Sequence, residues 1–374
     1  MKMYKKRYMN HAIKLAYLGK YTTSPNPNVG CVIVKNNNIV GEGWHIKAGS
    51  DHAEINALKM AGHKSNGATA YITMEPCNHY GRTPPCCKEL IKSGIKKVII
   101  STLDPNPRIS GKGLLELKKN GIIVEIGLLK KKAERINKGF FKRMKKGMPF
   151  VQLKLAISID GKTALANGQS KWITSITSRN DVQKFRMLND AILSTSKTII
   201  SDNSKLIIQK KFFSNRKILI STNKHIRINI LQPLRIIIDS KNLITPMYNL
   251  FNYKSKIWLI RLKKDNNIWP KYVKQIILNS SNKIIDLVKL MYMIGKTNIN
   301  NLWVESGASL AGSLIKLKLV DELILYVAPK ILGDLSRSSF IIPKIKMISE
   351  GYKFKFNDIK YIGSDLRIIL TPKH

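Results

Sequence analysis

The sequence predicts two consecutive α/β domains, the first a three-layer α/β/α sandwich over residues 1–146 and the second over 150–374. Three observations carry this. The chain has 374 residues, enough for two domains of roughly 150 residues each. Strand-like and helix-like segments alternate through the first third. The alternation then restarts near residue 150, beyond a basic stretch closed by Gly147 and Pro149.

The elements follow in order. Residues 4–19 set Tyr8, Ala12, Leu15 and Ala16 at helical spacing. TTSPNPNVG is dense in turn residues and reads as a loop. CVIVKNNNIVGEGWH reads as a hairpin that turns at its Asn run. HAEINALKMAG is a short helix stopped by Gly62. ATAYITM is a strand, and Pro76-Cys77 just after it opens a helical turn. The loop through GRTPPCC leads into a helix at CKELIKSG. KKVIIST is a strand, DPNPRISGKG a loop, 112–120 a helix and GIIVEIG a strand, followed by one basic helix over 130–145. The second domain opens with the strand PFVQLKLAIS and the turn IDGK. Later strands fall at DAILS, RIIIDS, KIWLI, NLWVES and ELILYVAPK. SRNDVQKFRML and SLAGSLIKLKL read as helices. Residues 205–232 and 241–300 are rich in Asn, Lys and Ser and carry no clear period. No internal repeat is present.

The charge is extreme: 65 Lys+Arg against 23 Asp+Glu, a net of +42. A basic surface attracts phosphate, so nucleic-acid binding is one reading. Compositional drift is the favoured one. The excess is mostly Lys, runs along the whole chain and accompanies abundant Ile and Asn, with no Arg-rich tract or RNP-like aromatic motif. The four cysteines, Cys31, Cys77, Cys86 and Cys87, all lie in the first quarter. That clustering near histidines argues metal and a reducing compartment rather than a secreted disulfide scaffold. After the basic N-terminus Lys14, Gly19 and Lys20 break up any apolar run, and no stretch of 18 apolar residues occurs, so neither a signal peptide nor a transmembrane helix is expected, and the expected location is cytoplasmic.

The chemistry concentrates in the first domain. His52-Ala53-Glu54 opens a helix, Pro76-Cys77 follows a strand, and Cys86 comes after Pro84-Pro85. An H-x-E segment followed by P-C and a second Cys is the signature of zinc-dependent deamination. Two thiolates and one imidazole give three ligands and leave a fourth tetrahedral position for water. Zinc brings that water's pKa towards 7. Glu54, two residues from His52, can take its proton and return it to the ring and the leaving amine. A closed structural zinc site would need a fourth ligand, for which His79 and Cys87 are near enough in sequence, but Glu54 would then be idle. Cys87 reads as a non-ligand and Cys31 as a core residue. Eight residues separate Cys77 from Cys86, where many deaminases have two, and this insert brings His79 and Arg82 near the site.

TSPNPNVGCVIV, HAEINALKMAG, MEPCNHYGRTPPC and DPNPRISGKG together resemble the bifunctional deaminase–reductase family of bacterial riboflavin biosynthesis. The similarity continues through QLKLAISIDGKTA, KWITS, RIIIDS, LWVESGASLAG and DELILYVAPKILG and covers nearly the whole chain. The resemblance implies a cytidine-deaminase-like sandwich and a dihydrofolate-reductase-like second domain. It implies two reactions: removal of the 2-amino group of a diaminopyrimidinone ribosylamino phosphate, then reduction of its ribosyl group to ribityl by NADPH. Carried over by motif, His52, Cys77 and Cys86 would hold zinc, Glu54 would move the proton and Asn26 would hold the pyrimidine. Ala156, Trp172, Thr198, Asp202, Ser240 and the run Gly307, Ala308, Ser309, Leu310, Ala311, Gly312 and Ser313 align with NADP-contacting positions. In that run, Gly307 and Gly312 would allow close backbone approach at a helix start, where N–H groups receive phosphate. Ser170, Arg186, Leu206 and Glu305 align with substrate-contacting positions, Arg186 as a phosphate partner. Gln209 stands where the family carries an Arg, and Lys210 or Lys211 would supply the charge without the guanidinium fork. A homo-oligomer joined through the reductase domains is also implied.

Two other functions compete with a bifunctional metabolic enzyme. One is a deaminase acting on a nucleobase in RNA, which the charge suggests and the KWITS and VESGASLAG segments disfavour. The other is a non-enzymatic, zinc-stabilised binding protein, a decayed relative without turnover; the intact His52, Glu54, Cys77 and Cys86 argue against decay in the first domain, and the altered 203–209 segment leaves it open in the second.

Overall fold

A computed structural model describes residues 2–80, 84–107, 109–209, 217–221, 224–227, 231–279 and 283–373, with backbone alone for 2–3, 217–221 and 224–227. Arg82, Lys210 and Lys211 fall outside these described residues. The chain divides into two compact units, 1–147 with 217–230, and 148–216 with 231–374.

The first unit runs α1 (Lys2–Leu18), β1 (Gly30–Lys35), β2 (Asn38–Trp44), α2 (Ala53–Ala61), β3 (Thr69–Ile72), α3 (Cys86–Lys92), β4 (Lys97–Ile100), α4 (Lys112–Lys119), β5 (Ile123–Ile126), α5 (Lys130–Arg135) and α6 (Lys138–Lys146). Its sheet has the order β2-β1-β3-β4-β5. The first three strands pair antiparallel and the last three parallel. Asn36 and Asn37 make the hairpin turn at φ 48° and 60°, a left-handed conformation that Asn tolerates. Side chains alternate across the pleat. Cys31 and Ile33 pack with Ala57, Leu90 and Leu117 from α2, α3 and α4. Val32 and Val34 pack on the other face with Tyr8, Met9 and Ala12 of α1. Helices on both faces of one sheet make the predicted three-layer sandwich.

Two local expectations are corrected. The stretch 130–145 is two helices, interrupted at Ile136 and Asn137. The break frees the Asn137 amide to pair with the backbone of Asn28: its Oδ1 accepts from Asn28 N at 2.7 Å and its Nδ2 donates to Asn28 O at 2.8 Å. Asn28 Nδ2 returns a bond to Ile136 O at 3.2 Å. These three bonds pin the SPNPNVG loop. The second correction concerns Cys77, which lies in irregular chain and opens no helical turn. Cys86 is the cysteine that begins a helix.

The second unit runs β6 (Phe150–Ser158), β7 (Lys162–Ala164), α7 (Ile176–Leu188), β8 (Ala191–Thr195) and α8 (Ser196–Asp202). A separate ribbon, β9 (Lys217–Ser221) with β10 (Lys224–Arg227), follows in the chain. Then come β11 (Leu234–Ile238), β12 (Ile257–Arg261), β13 (Val273–Ile277), α9 (Leu287–Lys296), β14 (Asn301–Glu305), α10 (Ala308–Lys316), β15 (Glu322–Ala328), β16 (Arg337–Ser338), β17 (Phe354–Ile362) and β18 (Asp365–Pro372). Nine strands form one sheet, ordered β13-β12-β11-β8-β14-β6-β15-β18-β17. From β13 to β15 every neighbouring pair is parallel, and a C-terminal antiparallel hairpin completes it. Leu153, Leu193 and Val304 pack with α9 and α10 on one face. Ile192, Trp303 and Tyr326 pack with Val182 of α7 on the other.

This order positions the second site. Chain order and spatial order part where β14 inserts between β8 and β6. In an open parallel sheet ligands bind at the carboxyl ends of strands beside such a switch point. The carboxyl ends of β6, β8, β11 and β14 lie at one edge of the sheet because the four strands are parallel. Among the described residues, no helix is long and apolar enough to cross a membrane.

Candidate functional site

In the first unit three elements converge on one point. His52 is the N-cap of α2, Cys77 ends the chain leaving β3, and Cys86 opens α3. Their ligand atoms lie within 4.8 Å of one another. His52 Nδ1 is 3.6 Å from Cys77 Sγ and 3.3 Å from Cys86 Sγ. A tetrahedral zinc with Zn–S of about 2.3 Å and Zn–N of about 2.0–2.1 Å sets its N and S ligands roughly 3.5 Å apart. Both N···S separations therefore fit that ion. Cys86 N donates to Cys77 Sγ at 3.3 Å, so the α3 N-terminus serves the Cys77 sulfur. Hydrogen bonding from the Cys86 thiol holds the Cys77 pKa well below the usual thiol value, while the same bond and burial push Cys86 up. Cys77 is thus the first of the pair to ionise. The hydrogen bond to Cys77 raises His52 to about 9 in the metal-free protein.

Glu54 sits on the first turn of α2, 3% exposed, and its Oε2 has no hydrogen-bond partner. Burial pushes its pKa up to about 7. A buried carboxyl that titrates near neutrality beside a metal-ligand set is suited to moving protons. Cys87 is turned away, its Sγ bonding the carbonyls of Pro76 at 3.4 Å and Gly113 at 3.6 Å. His79 is exposed and joins no ligand group among the described residues. With neither candidate fourth ligand in place, the site is open. Cys31 is fully buried in the core.

Asn26 does face the site, through a histidine that sequence reasoning missed. Asn26 Nδ2 lies 3.2 Å from His45 Nε2. The His45 ring meets the His52 ring edge-on at 5.2 Å between centroids. His45 Nδ1 contacts Asp51 O at 3.1 Å, and burial lowers its pKa. The only sequence signal for it is a polar ring closing the apolar strand β2. Glu75, 5% exposed, is a second omission.

In the second unit the positions singled out by motif gather at the carboxyl edge of the sheet. Ala156 lies near the end of β6, Thr198 and Asp202 on α8 after β8, and Ser240 just after β11. Glu305 ends β14 and Gly307 caps α10. Thr195 caps α8 by accepting from Thr198 N at 3.3 Å. Ser170 Oγ donates to Asp202 Oδ1 at 3.1 Å. Trp172 is 62% exposed, and the Arg179 guanidinium lies over its ring at 4.1 Å. Arg186 grips Glu305 with two bonds, Nε to Oε1 at 2.6 Å and an Nη to Oε2 at 2.9 Å. It also donates to Ile207 O at 2.8 Å, which fixes the chain next to Leu206. Trp303 Nε1 adds a bond to Glu305 Oε1 at 2.8 Å. Burial alone would raise Glu305, but the Arg186 charge and hydrogen bonds prevail and bring it down to about 2.

The structure adds Lys154 to this group. It stands directly across from Glu305 in the β6–β14 register. Burial lowers its pKa against the pull of Glu305. Its signal was present in the sequence: Gln152 and Lys154 occupy alternate positions of an otherwise apolar central strand.

The run 307–313 divides by face. Gly307, Ser309 and Ser313 are exposed, whereas Leu310, Ala311 and Gly312 are buried. A Cβ on Gly312 would overlap the Ile341 carbonyl. Gly312 is therefore small because the chain packs on it, which corrects the expectation that it opens the helix start to a ligand. Gly307 has open space where a Cβ would stand, and the buried Ser306 Oγ beside it has no partner. That helix start fits a dinucleotide phosphate. Gln209 is exposed, with its N–H bonded to Gln183 Oε1 at 3.0 Å.

A zinc-site deaminase sandwich followed by a reductase built on a parallel sheet defines a two-domain deaminase–reductase. The comparisons with known proteins agree. Residues 3–102 match the cytidine and deoxycytidylate deaminase zinc-binding region, and 149–368 match the RibD C-terminal domain. Riboflavin biosynthesis protein RibD of Buchnera aphidicola subsp. Baizongia pistaciae is 54% identical over 369 residues, covering 98% of each chain. A solved structure of Acinetobacter baumannii RibD superposes with a TM-score of 0.89 at 37% identity, covering all of both chains. A diaminohydroxyphosphoribosylamino-pyrimidine deaminase of Buchnera aphidicola subsp. Schizaphis graminum is 68% identical over 142 residues, 38% of this chain and 97% of its own. The chain belongs to the RibD family of riboflavin-biosynthesis proteins. It is a bifunctional enzyme, a zinc-dependent deaminase joined to an NADPH-dependent reductase.

Proposed function

We propose that residues 1–146 deaminate 2,5-diamino-6-(5-phosphoribosylamino)pyrimidin-4(3H)-one and that 150–374 then reduce its ribosyl group to ribityl. The observation that carries the first half is the His52–Cys77–Cys86 group facing a buried carboxylate with an unpartnered oxygen. Zinc held there supplies the Lewis acidity that makes a water a nucleophile at neutral pH. Asn26 and His45 hold the pyrimidine edge. Glu54 Oε2 takes one proton of the attacking water and delivers it to the ring nitrogen, then carries the second, from the added hydroxyl, to the departing amine. The 2-amino group leaves as ammonia and an oxygen takes its place.

In the second half NADPH supplies the hydride. Ala156, Trp172, Thr198, Asp202, Ser240, Gly307, Ala308, Ser309 and Ser313 bind it, while the buried Leu310, Ala311 and Gly312 seat the helix on the chain packed behind it. Ser170, Arg186, Leu206 and Glu305 hold the substrate. Arg186 keeps N–H groups beyond its bonds to Glu305 and Ile207, and these receive phosphate. Lys210 supplies the charge that Gln209 lacks. The enzyme works as a cytoplasmic homo-oligomer joined through its reductase units, and its basic surface serves no nucleic acid.

One assay tests both halves. Purified protein receives the diaminopyrimidine with and without NADPH, and again after chelation. Ammonia release independent of NADPH, and NADPH oxidation that requires prior deamination, are expected. Chelation abolishes the first, while supplied deaminated substrate is still reduced. Ammonia without NADPH oxidation would refute the reductase assignment.

A further inference from the structure

Glu75 lies two residues before Cys77, 5% exposed, and is neither a metal ligand nor the proton carrier. Its carboxylate accepts three backbone N–H bonds from a distant segment: Asp104 N at 3.2 Å and Gly111 N at 3.0 Å on Oε2, and Gly113 N at 3.0 Å on Oε1. Its own N–H donates to Thr102 O at 2.9 Å. The same junction is closed from the other side. A Cβ on Gly113 would overlap the Pro76 carbonyl, and the Cys87 thiol bonds both the Pro76 and the Gly113 carbonyls. So the peptide that delivers Cys77 and the segment that carries Asp104 are locked in one frame, with a buried carboxylate at its centre. The segment borders the site: burial, with the charges of Glu75 and Cys77, raises Asp104, opposed by the Asn106 N–H bond and by His79.

We propose that Glu75 is a positioning residue of the deaminase, setting through backbone hydrogen bonds both the placement of Cys77 and the wall formed by the Asp104–Gly113 segment. This rests on the deaminase reading given above. A carboxylate is required because three donors converge on two oxygens. Glutamine keeps the shape but turns an NH2 group towards at least one backbone N–H, and that bond becomes a repulsion. Supporting groups around metal sites contribute roughly tenfold to a hundredfold in affinity or activity.

The test uses the full-length protein loaded with cobalt(II) as a spectroscopic substitute and with zinc for kinetics. Glu75→Gln should bind one metal, show a shifted cobalt ligand-field band and lose about tenfold to a hundredfold in deaminase kcat/KM. Reduction of deaminated substrate by the same preparation should be unchanged. Gly113→Ala, which disturbs the junction while leaving the carboxylate intact, should shift the band in the same way. Wild-type kcat/KM and an unshifted band in Glu75→Gln would overturn the inference. So would equal loss of both activities, which marks a general folding defect. Should the wild-type protein release no ammonia, the deaminase reading fails, and the cobalt band still decides the role of Glu75.

Discussion

Glu54→Gln separates what the buried carboxyl does for catalysis from what it does for stability. Glu54 is 3% exposed and titrates at about 7, against 4.5 for the free group. At 1.36 kcal/mol per unit, its charged form is disfavoured by about 3 kcal/mol on folding. The sign follows from the raised folded value. The stabilising contribution of the neutral acid is fully present below about 4.5 and is lost as pH rises through about 7. Metal-free wild-type protein therefore loses about 3 kcal/mol of stability across that window from this group, and Glu54→Gln does not. In a domain of this size each kcal/mol is worth about 2–4 °C. Calorimetry of chelated protein at pH 5 and pH 8 should follow the transition that added zinc moves. Because pH 5 already lies above the unfolded value, about 2.5 kcal/mol of the change falls in this interval, and the melting advantage of Glu54→Gln should grow by roughly 5–10 °C between the two. The zinc-loaded variant should lose about 10²–10⁴ in ammonia release. An advantage that fails to grow with pH, or ammonia release at the wild-type rate, would refute the assignment.

Three more outcomes are expected. Glu305, held near 2 by Arg186, contributes about 3 kcal/mol that is present above about 4.5 and lost as pH falls through 2. Glu305→Gln should remove that acid dependence and lower reductase kcat/KM, and an unchanged acid melting profile would contradict it. Asn137→Ala leaves the Asn28 N–H and carbonyl without their side-chain partners. It should cost about 1–3 kcal/mol and raise the deaminase KM more than it lowers kcat, since it loosens the loop that carries Asn26. Lys210→Ala should weaken substrate binding in the reductase, measured as a raised KM for deaminated substrate, with NADPH binding unaffected.

The two units and most of their elements were legible because each rests on local signals. Helix α2 is announced by its period and Gly62, and the β1–β2 hairpin by alternation around the Asn run. Strand β13 and helix α9 were not legible, because Lys274 and Gln275 break the alternation of β13 and both elements are short islands among Lys- and Asn-rich stretches. The break at Asn137 was invisible for another reason. Residues 130–145 are sound helix formers by themselves, and only the Asn28 backbone, 109 positions away, offers the competing bonds.

The same division applies to the sites. By itself the sequence determined which atoms are on offer: two thiols, an imidazole and a carboxyl in a spacing that only zinc hydrolysis uses fully, and a family likeness for the reductase. Folding decided how they are used. It put Cys86 rather than Cys77 at a helix start, turned Cys87 into the core, and buried Glu54 until it titrates near neutrality. It set Lys154 against Glu305 across two parallel strands and gave Gly312 a packing role in place of a ligand-binding one. Side-chain type is written residue by residue. Register, burial and the direction of a helix end arise only when segments far apart in the chain meet, and these are what set a pKa or choose a partner.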